Sequence, residues 1–527
     1  NHDGDGARLD YLHVVAEGRF VGQEPALGAP LRVRANAPGR ASVEVEIEGP
    51  QADMRLEMGP VGHLTHRVVD ENDVVMPAKI ELWQGNSMAL RAHVRPFEGT
   101  LAVAPGHYQA VVTRGFEYAL HSEEIDVPPD GEVRLDVRLP RLLDTAGWLS
   151  TDGHMHGGPS PDSNVSIADR MTISAATGLE VAMGTDHEIV RDWRVGIPEA
   201  GLGPFINAVG GQEVTATLPE HMGAWPMAPL SVEEDPRGGP VAWYGLTLGG
   251  VFAAIRARGA GVVQLNHPRQ GCNYMCLIDW DRLTGEPRLQ DPTRLGFAPD
   301  DELWSWDFDA VELINGIRTP FVDPASPNDT GTFEDWATFH NLGHRVTAMA
   351  NSDVHGDDSG NPMNWFAAPT DAPAEFVPQM LTDAVRGGRS VITLGAFINA
   401  NIGEAGLGDT VQANDGTVTL SLRVQAVPEV DVRQIVVYAN CDQVALLDAT
   451  DPGGVVKFAG DVELDLPADA WLVVAAFGRD RMPRGFLDYD PRRIPRSLTN
   501  AIFVDVDGNG RFDPPGAKTC RYDVPAP

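Results

Sequence analysis

The chain has 527 residues, too many for one ordinary hydrophobic core, so two to four domains are expected. Its 40 basic and 75 acidic side chains give a net charge of −35, which argues against nucleic acids and anionic membranes as partners. No segment approaches the roughly 18 consecutive apolar residues of a membrane helix, which argues against membrane insertion.

Residues 1–145 are predicted to be β structure. Apolar and polar residues alternate in LRVRANAPGRASVEVEIEG, MPAKIELW and EVRLDVRL, with glycine, proline and asparagine turns between the alternating runs. No helical periodicity competes with this alternation. The pattern predicts an N-terminal β-sandwich-like region.

Residues 146–395 change to a repeat of helix, glycine and apolar strand. The segment VSIADRMTISAATG is predicted to be a helix that begins after the N-cap Ser166 and stops at Gly178. The helix-like TLGGVFAAIRARG, TFEDWATFHNLG and EFVPQMLTDAVRGG are followed by the strand-like GVVQLN, RVTAMA and SVITLG. This order predicts an α/β domain with a largely parallel sheet.

Residues 396–527 return to β alternation, as in VTLSLRVQAV and VRQIVVYAN, and predict a second sandwich-like domain. Cys441 and Cys520 fall in this region, where a disulfide between them would suit an exported protein. Cys272 and Cys276 form a C-x3-C pair without a second pair, which is a weak indication of zinc. The acidity, the β flanks and the start at Asn1 instead of Met together predict a secreted or periplasmic protein.

Histidine and acidic residues recur where the predicted strands of the middle domain end. Because the carboxyl ends of parallel strands open onto one crevice, these side chains are expected to converge. Imidazole with carboxylate suits zinc, manganese or iron, and burying so many ionisable groups without a metal would be costly. The residues in this pattern are His154, His156, Asp186, His187, Glu213, His221, His267, Glu312, Asn315, Asp353 and His355.

The spacing of the first two histidines has a mechanical meaning. On an extended segment alternate residues point the same way, so His154 and His156 can bind one ion while Met155 turns into the wall. Asp353 and His355 have the same spacing. The glycines after His156 let the backbone turn and bring Asp162 back towards the cluster.

Two other hydrolase patterns fit the sequence less well. His340 and His344 have H-x-x-x-H spacing, but Asn341 stands where a zinc protease needs glutamate, so both histidines are interpreted as structural. No G-x-S-x-G turn is present to support a serine hydrolase.

In chain order the motifs HMH, TDH, GQE, NHP and NSDVH resemble the PHP (polymerase and histidinol phosphatase) superfamily. The phrases GWLSTDGHMH, EHMGAW and GGRSVITLGAF resemble more narrowly its carbaryl-hydrolase-like metallohydrolase branch. The resemblance covers roughly residues 145–400. It implies an α/β fold, a distorted (β/α)7 PHP-type barrel between N- and C-terminal β-sandwich-like domains, with two or three divalent transition metal ions (Zn, Mn or Fe).

The resemblance also implies a ligand set. Asp186 would orient an imidazole instead of binding metal. Many members of the superfamily have histidine where this chain has Asp162, so the resemblance does not decide whether two or three ions are bound. The first ion would be held by His154, His156, Glu213 and Asp353, the second by Glu213, His221 and His267 with Glu213 bridging, and the third by Asp162, His187 and His355.

The implied activity is metal-dependent hydrolysis of a small-molecule ester, with a metal-activated water attacking a phosphoester. The residues expected to carry the chemistry are Glu213, Asp353, His267 and His355, of which His267 or His355 could protonate the leaving group. Arg191, Arg194 and Arg269 are candidates for binding a substrate anion. A carbamate or carboxylic ester hydrolase is the alternative, and a non-catalytic binding protein is an alternative of another class.

The C-terminal segment DVDGNGRFDPPG allows two interpretations. Asp505, Asp507, Asn509 and Asp513 match the spaced oxygen ligands of a calcium loop, but Gly516 stands where glutamate is usual. The alternative, slightly favoured, is an acidic glycine-rich turn without calcium.

Overall fold

A computed structural model describes most of the chain. The described residues fall into two compact units, one drawn from the ranges 1–65, 100–108 and 125–135, the other from 66–99, 109–124 and 136–527. The predicted N-terminal β region therefore contributes to both units. The described residues are 14–15, 19–20, 31–35, 39–40, 43–47, 56–216, 218, 221–316, 318–321, 330–486, 494–518, 520 and 522.

The predicted N-terminal β region consists of strands in its described part. Within the larger unit, strand Ala78–Gln84 (β6 below) pairs antiparallel with both Ser87–Val94 (β7) and Gly106–Thr113 (β9). The strands are β1 (Val14–Val15), β2 (Arg19–Phe20), β3 (Leu31–Ala35), β4 (Val43–Ile47), β5 (Gly62–Val69), β6 (Ala78–Gln84), β7 (Ser87–Val94), β8 (Gly99–Val103), β9 (Gly106–Thr113), β10 (His121–Val127) and β11 (Glu132–Arg138).

The middle region alternates strands and helices, with short 3₁₀ turns at Trp193–Val195, Pro292–Leu295 and Pro373–Glu375. Its elements are β12 (Trp148–Met155), α1 (Ile167–Ala176), β13 (Val181–Gly184), α2 (Gly196–Ala200), β14 (Asn207–Gly210), β15 (Gln212–Thr215), β16 (His221–Trp225), α3 (Leu248–Ala257), β17 (Val262–Leu265), α4 (Tyr274–Leu277), β18 (Trp280–Asp281), β19 (Glu286–Pro287), β20 (Ala310–Asn315), α5 (Thr332–Asn341), β21 (Thr347–Asn351), β22 (Met363–Ala367), α6 (Pro378–Arg386) and β23 (Ser390–Leu394).

Local sequence explains where the first helix begins and ends. The Ser166 hydroxyl accepts the backbone N–H of Asp169 at 3.1 Å and caps α1, as the sequence predicts. Gly178 follows the helix with φ +86°, a left-handed conformation that suits glycine. The short loop that follows leads directly into β13.

The strand pairing of the middle region is mixed, which corrects the prediction of a largely parallel sheet. Parallel neighbours are β12, β13 and β14 in one sheet and β17, β20 and β21 in another. However, β15, β16 and β17 pair antiparallel, and β22 returns antiparallel to β12. The short connection from β15 to β16 explains the difference, because parallel neighbours require a long crossover. Helices are few, and the closed (β/α)7 barrel stays a prediction.

Two isolated bridges connect the two sheets beside the histidine-bearing strand ends. Met155 bridges Val354, and His187 bridges Glu213, both in the parallel sense. They bring the ends of β12, β13, β15 and β21 to one place. The sheet connections therefore position the residues that the sequence singles out.

The C-terminal strands share a sheet with the middle region. Strand β23 pairs antiparallel with β31, so one sheet of eleven strands crosses the predicted boundary at residue 395, while β24, β26 and β29 form a separate sheet. These strands are β24 (Phe397–Ile402), β25 (Thr410–Gln412), β26 (Thr417–Gln425), β27 (Gln434–Ala439), β28 (Asp442–Asp448), β29 (Val456–Asp465), β30 (Ala470–Phe477), β31 (Arg496–Thr499) and β32 (Ile502–Asp505).

All four cysteines are paired in disulfides. Cys441 bonds Cys520, the pair that the sequence suggested. Cys272 bonds Cys276, so the zinc interpretation of this C-x3-C pair is wrong, because a disulfide leaves no thiolate to bind metal. Among the described residues, no helix combines the length and apolar character needed to cross a membrane.

Candidate metal centre

The end of β12 presents two imidazoles on one side. Met155 is fully buried in a hydrophobic cluster that includes Met171 and Trp193, while His154 and His156 are buried with their rings 5.1 Å apart. This is the alternation that the H-x-H spacing predicts. The backbone carbonyl of His154 and the N–H of His156 bond the segment that carries Asp353, which joins two ligand-bearing loops.

Glu213 is the centre of the cluster. Its side chain is almost fully buried at the start of the β15–β16 hairpin, and five imidazoles surround it. Oε1 lies 3.0 Å from Nε2 of His154, 3.1 Å from Nδ1 of His221 and 3.1 Å from Nε2 of His267; Oε2 lies 3.1 Å from Nδ1 of His187 and 3.5 Å from Nε2 of His156. A carboxylate with this many neighbours on both oxygens is suited to bridging two ions.

Asp353 and Asp162 complete the acidic part of the cluster. Oδ1 of Asp353 lies 3.2 Å from Nε2 of both His154 and His156. Oδ2 of Asp162 lies 3.0 Å from Nε2 of both His187 and His355. Asp162 is the more exposed acid, with 45% of its side chain accessible. The two acids therefore mark an inner and an outer part of one centre.

All nine ligands predicted from the sequence lie in this cluster. The candidate groups have ligand atoms within 4.8 Å of one another, the reach expected around a shared ion. One group matches the predicted first set, and another adds His156 to the predicted third set. The groups are His154 with His156, Glu213 and Asp353; His156 with Asp162, His187 and His355; His187 with Glu213 and His221; and His154 with His267 and Glu312.

Charge and burial oppose each other throughout the cluster. Burial disfavours ionised Glu213, but His154 and the hydrogen bonds from neighbouring imidazoles outweigh it and hold the pKa of Glu213 well below its ordinary value. The same competition, with His154 as the main favourable partner, lowers the pKa of Asp353. Burial alone would lower the pKa of His154, but Asp353, Glu213 and Glu312 outweigh it and raise that pKa well above its ordinary value. Two ionised carboxylates are therefore buried beside a positive charge, which His154 carries when no ion is bound.

His156 provides a direct test of whether the donor set fits a metal ion. Burial lowers the pKa of His156 to about 4, so its imidazole is neutral at pH 7. Its Nε2 is buried without a well-directed hydrogen bond, although Oδ1 of Asp353 lies only 3.2 Å away. Neutral imidazole and ionised carboxylate are the ligand forms that zinc, manganese and iron require. The residues present fit a divalent transition metal.

The backbone is strained at two of these residues. Asp353 has φ +52° and His267 has φ +28°, conformations that residues other than glycine rarely adopt. The N–H of Asp353 donates to the His154 carbonyl at 2.9 Å, and the N–H of His267 donates to Oε2 of Glu312 at 2.7 Å. Such strain is common at functional sites, where surrounding contacts maintain it.

Several polar residues around the ligands were not assigned from sequence. Oγ of Ser160 lies 3.3 Å from Nδ1 of His156, Nδ2 of Asn273 lies 2.8 Å from Nδ1 of His267, and the Asn266 amide donates to Glu213 at 3.0 Å. Asn266 and Asn273 stand beside the NHP motif, a proximity that could have suggested them. Glu312 was noted at a strand end but given no role.

Asp186 has a different role from the one predicted. Its Oδ1 accepts the N–H of Gly157 at 2.7 Å, and its Oδ2 accepts the indole N–H of Trp193 at 3.0 Å. Burial raises the pKa of Asp186 to about 6. Asp186 thus fixes the backbone just after His156 instead of orienting an imidazole.

The three arginines predicted to bind a substrate anion contact protein groups. Arg269 is buried and forms a two-point ion pair with Asp335. Arg194 pairs with Asp192 at 2.8 Å, and Arg191 donates to the carbonyl of Pro236 at 2.7 Å. Stable partners of this kind reduce the capacity of a guanidinium to bind substrate.

A cavity of about 440 Å³ lies in the insertion between β17 and β20. Its lining includes Arg269, Trp280, Arg282 and Arg288. Arg282 shares the Asp335 carboxylate with Arg269, and Arg288 pairs with Asp281 at 3.2 Å. Because aspartates neutralise these arginines, the cavity does not form a cationic anion site.

The structure gives His340 and His344 packing contacts, in agreement with their interpretation as structural. His340 is buried beside Trp336 and Trp471, and His344 stacks on Trp306 with 3.6 Å between ring centroids. Burial lowers the pKa of His340 to about 3, so it is neutral. Neither ring joins the candidate groups of the metal centre.

The predicted calcium residues are hydrogen-bonded within turns, and two of them also lie in a small carboxylate group. Asp505 is buried and accepts the N–H groups of Gly508 and Gly510, each at 2.7 Å. Asn509 donates to Asp513 at 2.7 Å. The three carboxylates that do cluster are those of Asp469, Asp507 and Asp513. Asp505 thus uses both oxygens within the turn, which favours the turn interpretation.

Searches for similar families, proteins and solved structures found no strong match to this chain. No protein-family model and no curated protein matches the chain. A solved two-domain protein from Bacteroides vulgatus, described as containing a predicted PHP-like metal-dependent phosphoesterase, is similar with a TM-score of 0.33 and 16% identity over 68% of this chain and 96% of that one. The TIE protein of Bacillus anthracis is similar with a TM-score of 0.15 and 14% identity over 23% and 21% of the two chains. Similarity this low carries no argument about fold or function.

Proposed function

We propose that the chain is a metal-dependent hydrolase that cleaves a phosphoester bond in a small molecule, using two or three divalent transition metal ions. The observation that carries the proposal is the position of Glu213, whose two oxygens face five imidazoles at 3.0–3.5 Å. No ordinary hydrogen-bonded core needs so many imidazoles around one buried carboxylate.

The candidate ligands can be assigned to three ion positions. Glu213 would bridge, Asp353 with His154 and His156 would hold the inner position, and His221 with His267 would hold the second. Asp162, His187 and His355 would hold an outer ion. Bound divalent metal polarises the ester oxygen and lowers the pKa of water towards about 7, which supplies a nucleophile at neutral pH.

His355 is the better of the two candidates for moving a proton to the leaving group. Both ring nitrogens of His267 have close partners, Glu213 at Nε2 and Asn273 at Nδ1. His355 has 32% of its side chain exposed, and its Nδ1 lies 3.0 Å from the Asp353 carbonyl. Nε2 also has a close partner, Asp162 at 3.0 Å, so the greater exposure of His355 is what favours it over His267. An ion held at the outer position would occupy Nε2, so His355 would move a proton only with that position empty.

A carbamate or carboxylic ester is the second candidate substrate. One observation favours it: Arg191, Arg194 and Arg269 all contact protein groups, although a phosphoester anion would profit from a nearby guanidinium. The sequence resemblance to the carbaryl-hydrolase-like branch points the same way. A non-catalytic binding protein is the third candidate, disfavoured because the ligand set is intact.

The experiment is a substrate panel on protein loaded with Zn²⁺, Mn²⁺ or Fe²⁺. Aryl phosphates, aryl carbamates and aryl carboxylic esters with the same leaving group are compared at equal concentration. A higher kcat/KM for phosphates is expected. A preference for carbamates or carboxylic esters would select the second candidate, and no metal-dependent turnover of any ester would contradict the hydrolase proposal.

We propose in addition that the protein works in an oxidising compartment, secreted or periplasmic. The two disulfides support this location, because such bonds persist mainly outside the reducing cytosol. Fractionation of cells expressing the full-length natural gene product tests it, with recovery of protein in the cytosolic fraction alone as the contradicting result.

A further inference from the structure

Glu312 occupies a position behind the ligands that the proposed function does not use. It lies on β20, is about 1% exposed, and its two oxygens each accept more than one hydrogen bond. Its partners lie on β12, β20 and β21 and in the loop after β17. Glu312 is therefore a buried carboxylate with contacts from several elements.

One oxygen of Glu312 faces the first ligand histidine. Oε1 lies 3.1 Å from Nδ1 of His154 and accepts the Asn351 amide at 2.9 Å. Each oxygen of Glu312 already accepts an amide N–H, so the carboxylate is the acceptor here and Nδ1 of His154 donates. Nε2 of His154 lies on the other side of the ring, where Glu213 and Asp353 lie at 3.0 and 3.2 Å, and is the nitrogen that would face an ion.

The other oxygen supports the strained part of the centre. Oε2 accepts the backbone N–H of His267 at 2.7 Å, where φ is +28°. Oε2 also accepts the Asn315 amide at 3.0 Å, and the same amide donates to Oδ2 of Asp353 at 3.1 Å. One carboxylate thus connects His154, His267 and Asp353.

We propose that Glu312 is a positioning residue of the metal centre: it fixes the tautomer of His154 and the backbone direction of His267 without binding an ion itself. The inference rests on the proposed function, since it assumes that His154 and His267 are ligands. It is carried by the side of His154 on which Glu312 lies, opposite the Nε2 that faces Glu213. Second-layer partners of this kind typically change metal affinity or activity by about 10–100-fold when mutated.

The test is calorimetric titration of metal-free full-length protein with Mn²⁺, comparing wild type with Glu312→Gln. Glutamine keeps the size of the side chain but loses its charge and one acceptor. The expected result is the same number of ions at saturation with an affinity about 10–100-fold weaker. Glu312→Asp, which retains the carboxylate, is expected to recover part of the affinity.

Glu180→Gln is the matched control. Glu180 is a buried carboxylate that bonds Ser150 near the other end of β12, and it contacts no candidate ligand in the described structure. Its Mn²⁺ affinity should equal that of wild type. An equal loss of affinity in this control would overturn the specific role of Glu312.

Asn315→Ala keeps the proposal testable if circular dichroism shows that Glu312→Gln does not fold. It removes the bridge between Glu312 and Asp353, so weaker Mn²⁺ binding is expected, and wild-type affinity would overturn the proposal. Loss of a whole ion at saturation in Glu312→Gln would also overturn it, because Glu312 would then be a ligand. If wild type binds no Mn²⁺, the titration is repeated with Zn²⁺ and Fe²⁺, and the proposed function fails when none of the three binds. If wild type binds an ion and Glu312→Gln is unchanged, the inference alone fails.

Discussion

The metal centre and the C-terminal acidic loop were both singled out by spaced acids, but their side chains do different things. In the centre, the Glu213 carboxylate faces imidazoles that come from other elements of the fold. In the loop, the Asp505 carboxylate faces the N–H groups of Gly508 and Gly510, only three and five residues away. The centre collects ligand atoms, whereas the loop uses its carboxylate to hold its own turn.

The difference shows what distinguishes an ion site from an acidic turn. Short-range spacing is compatible with both, because aspartate readily bonds nearby backbone amides. Side chains that converge from distant strands at the cost of buried charge need another explanation, and a cation provides it.

The largest effect is expected from Glu213→Gln. Loss of the central carboxylate removes the residue that would bridge the two ion positions. Bound metal stabilises the transition state by several kcal/mol, so its loss should lower kcat/KM by about 1,000-fold or more. Asp505→Asn is the matched variant in the loop and should retain wild-type kcat/KM. Comparable losses in both variants, measured on the best substrate of the ester panel, would erase the distinction between the two regions.

Removing metal should affect the two regions unequally. Each ion at a concentration of 100 times its Kd contributes about 2.7 kcal/mol to stability, so chelation should lower the Tm and abolish turnover. Mn²⁺ or Zn²⁺ should restore both, whereas Ca²⁺ should restore neither. Thermal unfolding with and without each ion measures this, and a larger rise in Tm with Ca²⁺ than with Mn²⁺ would restore the calcium interpretation of the loop.

Asp505→Asn should lower stability while leaving chemistry intact. Each oxygen of Asp505 accepts one backbone N–H, so the NH₂ of asparagine would face one of these donors in place of an acceptor. A buried donor without an acceptor costs about 1–3 kcal/mol. Urea unfolding measures the change in the free energy of unfolding. Unchanged stability would mean that the hydrogen bonds to Gly508 and Gly510 do not hold the turn.

Glu180 is a second buried glutamate whose pKa can be compared with that of Glu213. Burial, with the nearby Glu117 carboxylate, raises the pKa of Glu180 from 4.5 to about 8, opposite to Glu213. Because the folded state keeps this proton longer than the unfolded state, stability from Glu180 is present below pH 4.5 and is lost as pH rises towards 8.

Glu180→Gln mimics the protonated form and should flatten that pH dependence. The slope it removes is at most about 1.4 kcal/mol per pH unit between pH 4.5 and 8. Urea unfolding of both proteins at several pH values in this window is the measurement. Parallel profiles for wild type and variant would contradict the raised pKa.

Much of the candidate cluster could be predicted from sequence, because the residue types and the strand ends that bring them together are visible there. Most of the predicted ligands stand at or just after the end of a short strand that is easy to recognise, whereas His221 begins β16 and Asp162 lies in the loop after β12. Glu312 was noted but not assigned, since its role depends on which side of His154 it contacts. The role of Asp186 was wrong for the same reason: the contact with Trp193 is set by tertiary packing.

The fold was predictable in its class and less so in its pairing. Alternation identified the β regions, and the cap at Ser166 located a helix. Periodicity does not report the direction of β16, which follows from its short connection to β15. Nor does it report the pairings of β22 with β12 and of β23 with β31, which depend on long-range contacts. The partners of Arg269 and Cys272 were missed for the same reason, because a single residue type does not reveal what it contacts.

Elemental analysis of bound metal determines whether the side chains around Glu213 hold ions. Full-length protein is loaded with Zn²⁺, Mn²⁺ or Fe²⁺, freed of excess ion and measured beside Glu213→Gln. Two or three tightly bound ions per wild-type chain are expected, and fewer in the variant. Wild-type protein that retains none of these ions under any loading condition would contradict it.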